Sequence, residues 1–255
     1  MLTLLSPAKS LDWSPTPGVA PTTPRLSSDF GVLMRQAKRL KPADLKTLMK
    51  LSDKLAQLNH ERFQEMTVAP DPARDRPAAL AFAGDVYQGL DARSLSPEAL
   101  SWAQERVAIL SGLYGVLRPL DLIQPYRLEM GTRLKTRRGG SLYDFWGDRV
   151  SLTLNAQLKA HDEPTVIDLA SGEYGRVVTK KLNARRIVPV FQEVEADGRH
   201  RIISFFAKRA RGQMTRFIID QRIDTPAGIK DFTAGGYVFQ PSQSASERWV
   251  FTRPR

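Results

Sequence analysis

The segment from Leu110 to Gly131 combines residue types that a binding site needs and that a protein core does not. It contains three glycines, two prolines, two tyrosines and two arginines among a few aliphatic residues. Glycine lets a backbone approach a ligand closely, and the planar guanidinium of arginine can hold an anion through several donors. We therefore expect this segment to contact phosphate, and nucleic acid is the expected source of that phosphate.

The spacing of Gly112 and Gly115 matches the hairpin of a helix-hairpin-helix element, in which two glycines alternate with hydrophobic residues. Such glycines expose consecutive backbone N–H groups, and the helix that follows adds the partial positive charge of its N-terminus. Together they hold a phosphate without reading a base. The alternative is a tight strand-to-helix turn in which the glycines only permit a positive φ.

Arg118, Tyr126, Arg127 and Glu129 follow about a dozen residues or fewer after that pattern. Arg118 and Arg127 are candidates for a clamp on phosphate or carboxylate, and Pro119 and Pro125 would stiffen the loop that presents them. The alternative is an ion pair between Arg127 and Glu129 that fixes the loop.

Further polar residues follow predicted strands. Lys9 comes just after the strand at residues 2–5, and Glu173 and Tyr174 follow a strand at residues 165–170. Loops at the carboxyl ends of strands are favoured ligand positions. If these residues converge with Arg127 and Glu129, they form a cleft in which Glu129, Glu173 or Tyr174 could act as acid or base. Otherwise each is the end of a separate turn.

A basic amphipathic helix is predicted over residues 207–223. Lys208 and Arg211 share one face of this helix, whereas Arg216 lies on another. Gly212 costs about 1 kcal/mol in a helix relative to alanine, so we expect it to permit a close approach. This helix would line a nucleic-acid groove. The alternative is a solvated charged face.

Composition restricts the possible chemistry. The chain has no cysteine and only three scattered histidines, which excludes thiolate chemistry and argues against a metal site, so neither metal nor cofactor is expected. No apolar run approaches the ~18 residues that span a bilayer, and the start is too short before its first proline to be a signal peptide. The predicted location is the cytoplasm.

The formal net charge of +11 is unevenly distributed. The first 100 residues carry 13 Lys and Arg against 11 Asp and Glu, and the remaining 155 carry 25 against 16. A localised basic field favours a polyanionic partner, of which nucleic acid is the commonest. A basic but merely soluble surface is the alternative.

The predicted elements interleave without a regular βαβ rhythm, which indicates a mixed α/β single domain over residues 1–255 with a central mixed sheet. Ser28, Ser52 and Ser96 are predicted helix caps. Predicted helices cover residues 28–40, 42–51, the stretch after 52, the stretch after 96, 141–158 and 207–223. Predicted strands cover 2–5, 78–90 (ending in a glycine turn), 107–110, 165–170 and the hairpins 187–194/199–206 and 237–240/248–252.

Several long motifs, in order along the whole chain, resemble the YaaA family of bacterial peroxide-stress proteins. They are SPAKSLD at 6–12, LMKLSDKLA at 48–56, FAGDVYQGL at 82–90, the segment 110–131, LYDFWGD at 142–148, LASGEY at 169–174 and ISFFAKRARGQMTRFII at 203–219.

The resemblance implies a role in hydrogen peroxide stress and in limiting damage from free iron. It also implies a compact mixed α/β fold with a positively charged cleft, a helix-hairpin-helix-like element and DNA binding. The hairpin would then be Gly112 to Gly115. The cleft would draw on Lys9, Arg118, Arg127, Lys208 and Arg211.

Three functional hypotheses follow. The favoured one is a DNA-binding protein that contacts phosphates, largely without sequence preference, in a basic cleft and hairpin. The alternative is an enzyme acting on a nucleotide-like or phosphorylated substrate in the same cleft. Direct iron sequestration is disfavoured because cysteine is absent and no acidic cluster is visible, so an effect on iron would be indirect.

Overall fold

An eight-stranded mixed sheet forms the centre of the computed structural model, which describes residues 1–16 and 18–255. The strands are β1 (Leu2–Leu5), β2 (Ser10–Leu11), β3 (Arg76–Pro77), β4 (Phe82–Ala83), β5 (Val107–Ser111), β6 (Gly115–Leu117), β7 (Leu122–Ile123), β8 (Thr165–Asp168), β9 (Arg185–Val194), β10 (His200–Arg201), β11 (Val238–Phe239) and β12 (Arg248–Pro254).

Helices surround this sheet. They are α1 (Ser27–Lys38), α2 (Pro42–Met49), α3 (Asp53–Glu65), α4 (Ala78–Ala81), α5 (Asp85–Leu90), α6 (Pro97–Arg106), α7 (Leu142–Trp146), α8 (Arg149–Leu158), α9 (Gly172–Gly175) and α10 (Ser204–Asp220). Short 3-10 helices cover Ala92–Ser94, Pro226–Asp231, Ala234–Gly236 and Pro241–Gln243.

The strand order of the main sheet is β11-β12-β9-β8-β1-β5-β6, and β10 pairs with β9. The pairs β12–β9, β9–β8, β8–β1 and β1–β5 are parallel, whereas β5–β6, β11–β12 and β10–β9 are antiparallel. Strand β1 therefore has β5 on one side and β8 on the other. The chain after β1 leads towards β5, whereas the chain after β8 leads to β9 on the other side. Adjacent strands whose connections leave in opposite directions open a crevice at their carboxyl ends, where ligands bind in open α/β sheets.

The central parallel strands are buried on both faces, because helices and loops cover each side of the sheet. All four residues of β1 and all five of β5 are buried. Such strands read as continuous apolar runs rather than as alternating patterns, and this is why residues 2–5 and 107–110 were recognisable. The prediction of a mixed α/β single domain with a central mixed sheet is confirmed.

Helix caps follow the sequence in part. The Ser52 and Ser96 hydroxyls accept from the backbone N–H groups of Leu55 and Ala99, as a cap requires. Ser28, by contrast, lies inside α1, which begins at Ser27 without a side-chain cap. The predicted cap at Ser28 is therefore wrong.

Three predicted elements need correction. Residues 78–90 form one helical turn, a two-residue strand and α5 rather than one strand. The helix predicted over 141–158 is broken into α7 and α8 at Gly147, whose φ is 49°. The second strand of the hairpin around Asp197-Gly198 covers only His200–Arg201, because α10 begins at Ser204. The predicted strand over 199–206 is therefore wrong beyond Arg201, because its last residues belong to α10.

Helices α5 and α10 pack with their backbones in contact. A Cβ atom at Gly212 would overlap the carbonyl oxygen of Val86, and one at Gly89 would overlap that of Arg209. The predicted close approach at Gly212 therefore exists, and what approaches is α5. None of the helices in the described part of the chain has the length and apolar character that a bilayer crossing demands.

We expect Gly212→Ala to lower the free energy of unfolding by about 3 kcal/mol, because an added methyl must push α5 and α10 apart. Urea denaturation followed by circular dichroism measures this change. The matched control is Gly140→Ala, since a Cβ at Gly140 meets nothing within 4 Å. Equal unfolding midpoints for the two variants would contradict the helix contact.

Candidate functional site

A cavity of about 380 Å³ lies at the carboxyl ends of β1 and β8. The loop after β1, the start of α5, the loop after β8 and one face of α10 enclose it. Its lining consists of Ser6, Pro7, Ala8, Lys9, Ser10, Ala83, Gly84, Asp85, Val86, Tyr87, Leu169, Ser171, Glu173, Tyr174, Lys208 and Arg211. We call this space the switch-point cavity, because it lies where the connections after β1 and after β8 leave in opposite directions.

Hydroxyl groups join the two loops that leave the sheet. The Ser6 hydroxyl accepts from the backbone N–H of Ser171 at 2.9 Å and lies 3.3 Å from the Ser171 hydroxyl. The Tyr87 hydroxyl donates to the Ser6 carbonyl oxygen at 2.9 Å. The floor of the cavity is thus held together by hydrogen bonds between β1, β8 and α5.

A smaller recess of about 70 Å³ adjoins this cavity and shares Lys9, Glu173 and Tyr174 with it. Glu129 lies in the recess and is held by two cations, Lys9 at 3.1 Å and Arg127 at 3.0 Å. The ion pair between Arg127 and Glu129, which is the alternative to a phosphate or carboxylate clamp in the sequence analysis, is therefore present. The ion pair between Lys9 and Glu129 joins the loop after β1 to the segment after β7.

Charges in the cavity and recess are mixed. The cations are Lys9, Arg127, Lys208 and Arg211, and the acids are Asp85, Glu129 and Glu173. Lys208 lies 3.7 Å from Asp85, and Glu173 accepts from the Gly131 backbone N–H at 2.8 Å. The cavity and recess are therefore not strongly positive as expected, because three acids nearly balance the four cations.

Arg211 differs from the other three cations. Among residues 1–16 and 18–255, no hydrogen-bond acceptor or acid partners its guanidinium, although the side chain lines the cavity and is only partly exposed. Burial lowers the pKa of Arg211, and the nearby Asp168 carboxylate offsets this in part. Asp168 itself is engaged by Arg186 and by the Ala170 backbone N–H. An unpaired, desolvated cation therefore faces an empty concave space.

The phenols beside the cavity hold their protons firmly. Burial raises the pKa of Tyr174, and the charges of neighbouring groups raise it further. Burial likewise raises the pKa of Tyr87 well above its usual value. Both phenols remain protonated at neutral pH, so neither can accept a proton from a substrate. Tyr87 donates its hydroxyl proton to the Ser6 carbonyl oxygen, which leaves Tyr174 as the phenol that can donate to a ligand.

The structure brings together seven of the residues predicted for the site. Lys9, Glu173, Tyr174, Lys208 and Arg211 line the switch-point cavity, and the recess adds Arg127 and Glu129. Their convergence follows from the parallel pairing of β1 with β8, which sequence alone could not provide.

Two predicted cations lie elsewhere. Arg118 is bound to the Asp121 carboxylate at 2.9 Å, and its side chain is only 17% exposed. Arg216 is bound to Asp220 and to the Ser94 hydroxyl, where it ties α10 to the segment after α5. Each is taken up by a structural ion pair and does not line the switch-point cavity.

Gly112 and Gly115 form a β-hairpin rather than a helix-hairpin-helix element, since β6 and not a helix follows them. A Cβ at Gly112 would overlap the Leu128 carbonyl oxygen, and one at Gly115 would lie 2.7 Å from the Trp146 ring. The φ of Gly115 is 74°. Protein therefore covers both glycines, which serve a tight turn and close packing rather than an exposed phosphate contact.

The sequence indicated that the turn with Asp85 and Tyr87 and the cluster from Ser171 to Tyr174 could converge, but Ser6, Asp85, Tyr87 and Ser171 were not among the predicted site residues. Asp85 and Tyr87 carried a usable signal, because they follow a glycine turn. Ser6 and Ser171 could be paired only by knowing that two strands distant in the chain end side by side. No group of three or more metal-ligating side chains occurs in the part of the chain that the structure describes.

The fold and this cavity define a mixed α/β protein with a ligand-sized crevice at the topological switch point of its sheet. A family model described as "Peroxide stress protein YaaA" matches residues 1–243. The chain is 53% identical over 255 residues to the UPF0246 protein of Ruegeria pomeroyi, covering 100% of this chain and 99% of that relative. It is 52% identical over 257 residues to the UPF0246 protein of Caulobacter vibrioides, covering 100% of both chains. This chain belongs to the YaaA family of peroxide stress proteins.

We expect the folded protein to lose stability as the pH rises above about 10. Five of the six tyrosines, namely Tyr87, Tyr114, Tyr126, Tyr174 and Tyr237, are buried, and burial is the chief cause that raises their pKa above the ordinary 10.0. The folded state therefore keeps protons that the unfolded state releases, and each such tyrosine lowers the free energy of unfolding by ~1.4 kcal/mol per pH unit there.

A titration that records tyrosinate absorbance and circular dichroism together measures this loss. Tyrosinate from the buried tyrosines should appear only as the secondary structure is lost. Tyrosinate forming near pH 10 with the circular dichroism unchanged would contradict the burial of these phenols.

Proposed function

We propose that this protein binds a small phosphorylated, nucleotide-like ligand in the switch-point cavity, as part of the peroxide-stress response of its family. The observation that carries the proposal is the unpaired guanidinium of Arg211 at the cavity wall. Protection against iron-mediated damage would then follow indirectly, through the ligand.

The position and size of the cavity support this proposal. It lies at the carboxyl ends of β1 and β8, where open α/β sheets bind their ligands. Its volume of about 380 Å³ falls within the range of small-molecule pockets, which runs from ~300 to ~1,000 Å³. Its walls combine apolar groups, such as Val86 and Leu169, with a few polar groups at fixed positions. A ligand with one apolar part and one charged part suits this lining.

The charge of Arg211 supports an anion. Removing a cation from water without a partner costs free energy, and an anionic ligand would recover that cost through charge-assisted hydrogen bonds. The guanidinium matches the geometry of a phosphate, to which it can donate two parallel bonds. Lys9 and Lys208 are exposed enough, at 62% and 51%, to turn from their acids towards such a ligand.

The acids and phenols support binding more than proton abstraction. Two cations hold Glu129, a backbone N–H holds Glu173, and the raised pKa of Tyr174 keeps its phenol protonated. The two carboxylates are therefore held in place by their partners, and the Tyr174 hydroxyl can donate a hydrogen bond to a ligand. If a reaction takes place, Tyr174 is the candidate general acid and Glu129 or Glu173 the candidate base.

We expect Arg211→Ala to weaken binding of a phosphorylated probe by about 10- to 100-fold, the loss of a charge-assisted contact. The probes are pyrophosphate and the 5′-monophosphates of adenosine and guanosine, measured by isothermal titration calorimetry. The matched control is Arg209→Ala, which removes an exposed arginine of α10 that does not line the cavity.

A second measurement keeps this test independent of folding. Without ligand, Arg211→Met should raise the free energy of unfolding by ~1 kcal/mol, because it removes an unpaired desolvated charge. The variant should therefore unfold at a higher urea concentration than the unsubstituted protein. Weaker ligand binding together with a higher free energy of unfolding in the Arg211 variants would indicate that Arg211 serves ligand binding rather than stability. Failure of every probe to bind the unsubstituted protein, or equal losses in Arg209→Ala, would overturn the proposal.

Duplex DNA is the second candidate, bound through phosphates without sequence preference. The net charge of +11 favours it, and so do the exposed Lys208 and Arg209 on α10. The burial of Gly112 and Gly115 removes the hairpin from this proposal, and the ion pair with Asp121 removes Arg118. The remaining contacts would be those of a surface rather than of a phosphate-binding hairpin.

If DNA binds at this surface, we expect the logarithm of the binding constant to fall with the logarithm of salt concentration by about 0.9 for each phosphate neutralised. Lys208→Ala should reduce that slope by about 0.9, whereas Arg118→Ala should leave it unchanged. Fluorescence anisotropy of a labelled duplex across a salt series measures both. A slope that Lys208→Ala does not change would exclude the α10 surface.

A further inference from the structure

We propose that a second site, separate from the switch-point cavity, binds a compact polyphosphate chain. It is a groove of about 410 Å³ between α1 and the turn before α7, which we call the arginine groove. It is lined by Val32, Arg35, Gln36, Arg39, Thr136, Arg137, Arg138 and Phe145. None of these residues lines the switch-point cavity or its recess.

One wall of the groove is a face of α1. Arg35 and Arg39 are four residues apart, so they project from the same side of the helix. Like charges at this spacing destabilise a helix slightly. Within residues 1–16 and 18–255, neither guanidinium has an acid or a hydrogen-bond acceptor as its partner. Their charges are therefore available to a ligand.

The opposite wall is a tight turn that presents Arg137 and Arg138. The Thr136 N–H donates to the Gly139 carbonyl oxygen at 2.9 Å, and the Arg138 N–H donates to the Thr136 hydroxyl at 3.1 Å. The Asp144 carboxylate accepts from the Gly140 N–H at 3.1 Å. The two arginines are thus held at the tip of a fixed turn rather than on a free loop.

Arg138 is fixed further by its side chain. It pairs with Asp29 and lies over the Phe145 ring, 4.6 Å from its centre. Asp29 is shared with Arg149 at 3.4 Å, so its single charge is divided between two arginines. In the described residues, Arg137 has no acid or acceptor of its own. Arg35, Arg39 and Arg137 therefore leave the groove with an excess of positive charge.

The arrangement favours a short chain of phosphates over a duplex. Guanidinium groups from two walls surround one concave space of about 410 Å³, and several charges can meet there on a flexible anion. A duplex presents its phosphates along a convex rod, and contacts with it are spread along the backbone. Guanidinium groups bind phosphate oxygens in pairs of parallel bonds, so adjacent phosphates of one chain would engage both walls.

Isothermal titration calorimetry of the full chain with inorganic tripolyphosphate tests this proposal. We expect the double variant Arg39→Ala with Arg137→Ala to bind at least tenfold more weakly than the unsubstituted protein. The matched control is Arg133→Ala combined with Lys135→Ala, which also removes two positive charges. Both side chains are exposed in the loop that carries Arg137, and neither lines the groove. The control should bind within about twofold. All four side chains are exposed, and circular dichroism confirms that each variant folds.

The remaining arms separate this site from the others. Tripolyphosphate binding should persist in Arg211→Ala, because the switch-point cavity is separate, and ATP should compete with tripolyphosphate whereas adenosine should not. No saturable binding, equal losses in the control, or loss only in Arg211→Ala would each overturn the arginine groove. Duplex DNA that binds more weakly to the double variant Arg39→Ala with Arg137→Ala, and that tripolyphosphate fails to displace, would also overturn the groove in favour of a nucleic-acid surface.

Discussion

The parallel pairing of β1 with β8 is the constraint on which the candidate site depends. The register sets Leu4 opposite Asp168, so both strands end at the same level and their loops leave the sheet side by side. Ser6 and Ser171 then meet, although 165 residues separate them in the chain. Strand β5 lies on the other side of β1, and this divergence opens the crevice. The polar residues after β1 and after β8 thus become neighbours through backbone pairing.

The second requirement is the distance between α5 and α10. Gly89 and Gly212 bring the two helix backbones into contact, and α10 therefore presents Lys208 and Arg211 beside the start of α5, where Asp85 lies. Larger residues at these glycines would move α10 away from the sheet edge and widen the cavity. The glycines thus act on the site through packing, as Gly112 and Gly115 act on the hairpin beneath Trp146.

Sequence reasoning was most successful where one physical effect decides the structure. Buried parallel strands, such as residues 2–5, are apolar runs, and the cap at Ser96 is a local hydrogen bond. It failed where distant packing decides. The pattern at Gly112 and Gly115 fits an exposed phosphate hairpin and a buried β-turn equally well, and only Trp146 and Leu128 choose between them. Likewise, Arg118 and Arg211 look alike as residues, but Asp121 neutralises the first and no described residue neutralises the second.

The basic composition does not by itself select among anions. A net charge of +11 raises the local concentration of any anion and speeds its association, and this long-range field acts on a nucleotide and on a duplex alike. Selection must come from short-range features, namely which cations lack a partner and whether the surface around them is concave. In the switch-point cavity most cations are already paired with acids, so the field there is weak and Arg211 provides the recognition. Charge brings anions to this protein, whereas the shape of each concave surface decides which of them stays bound.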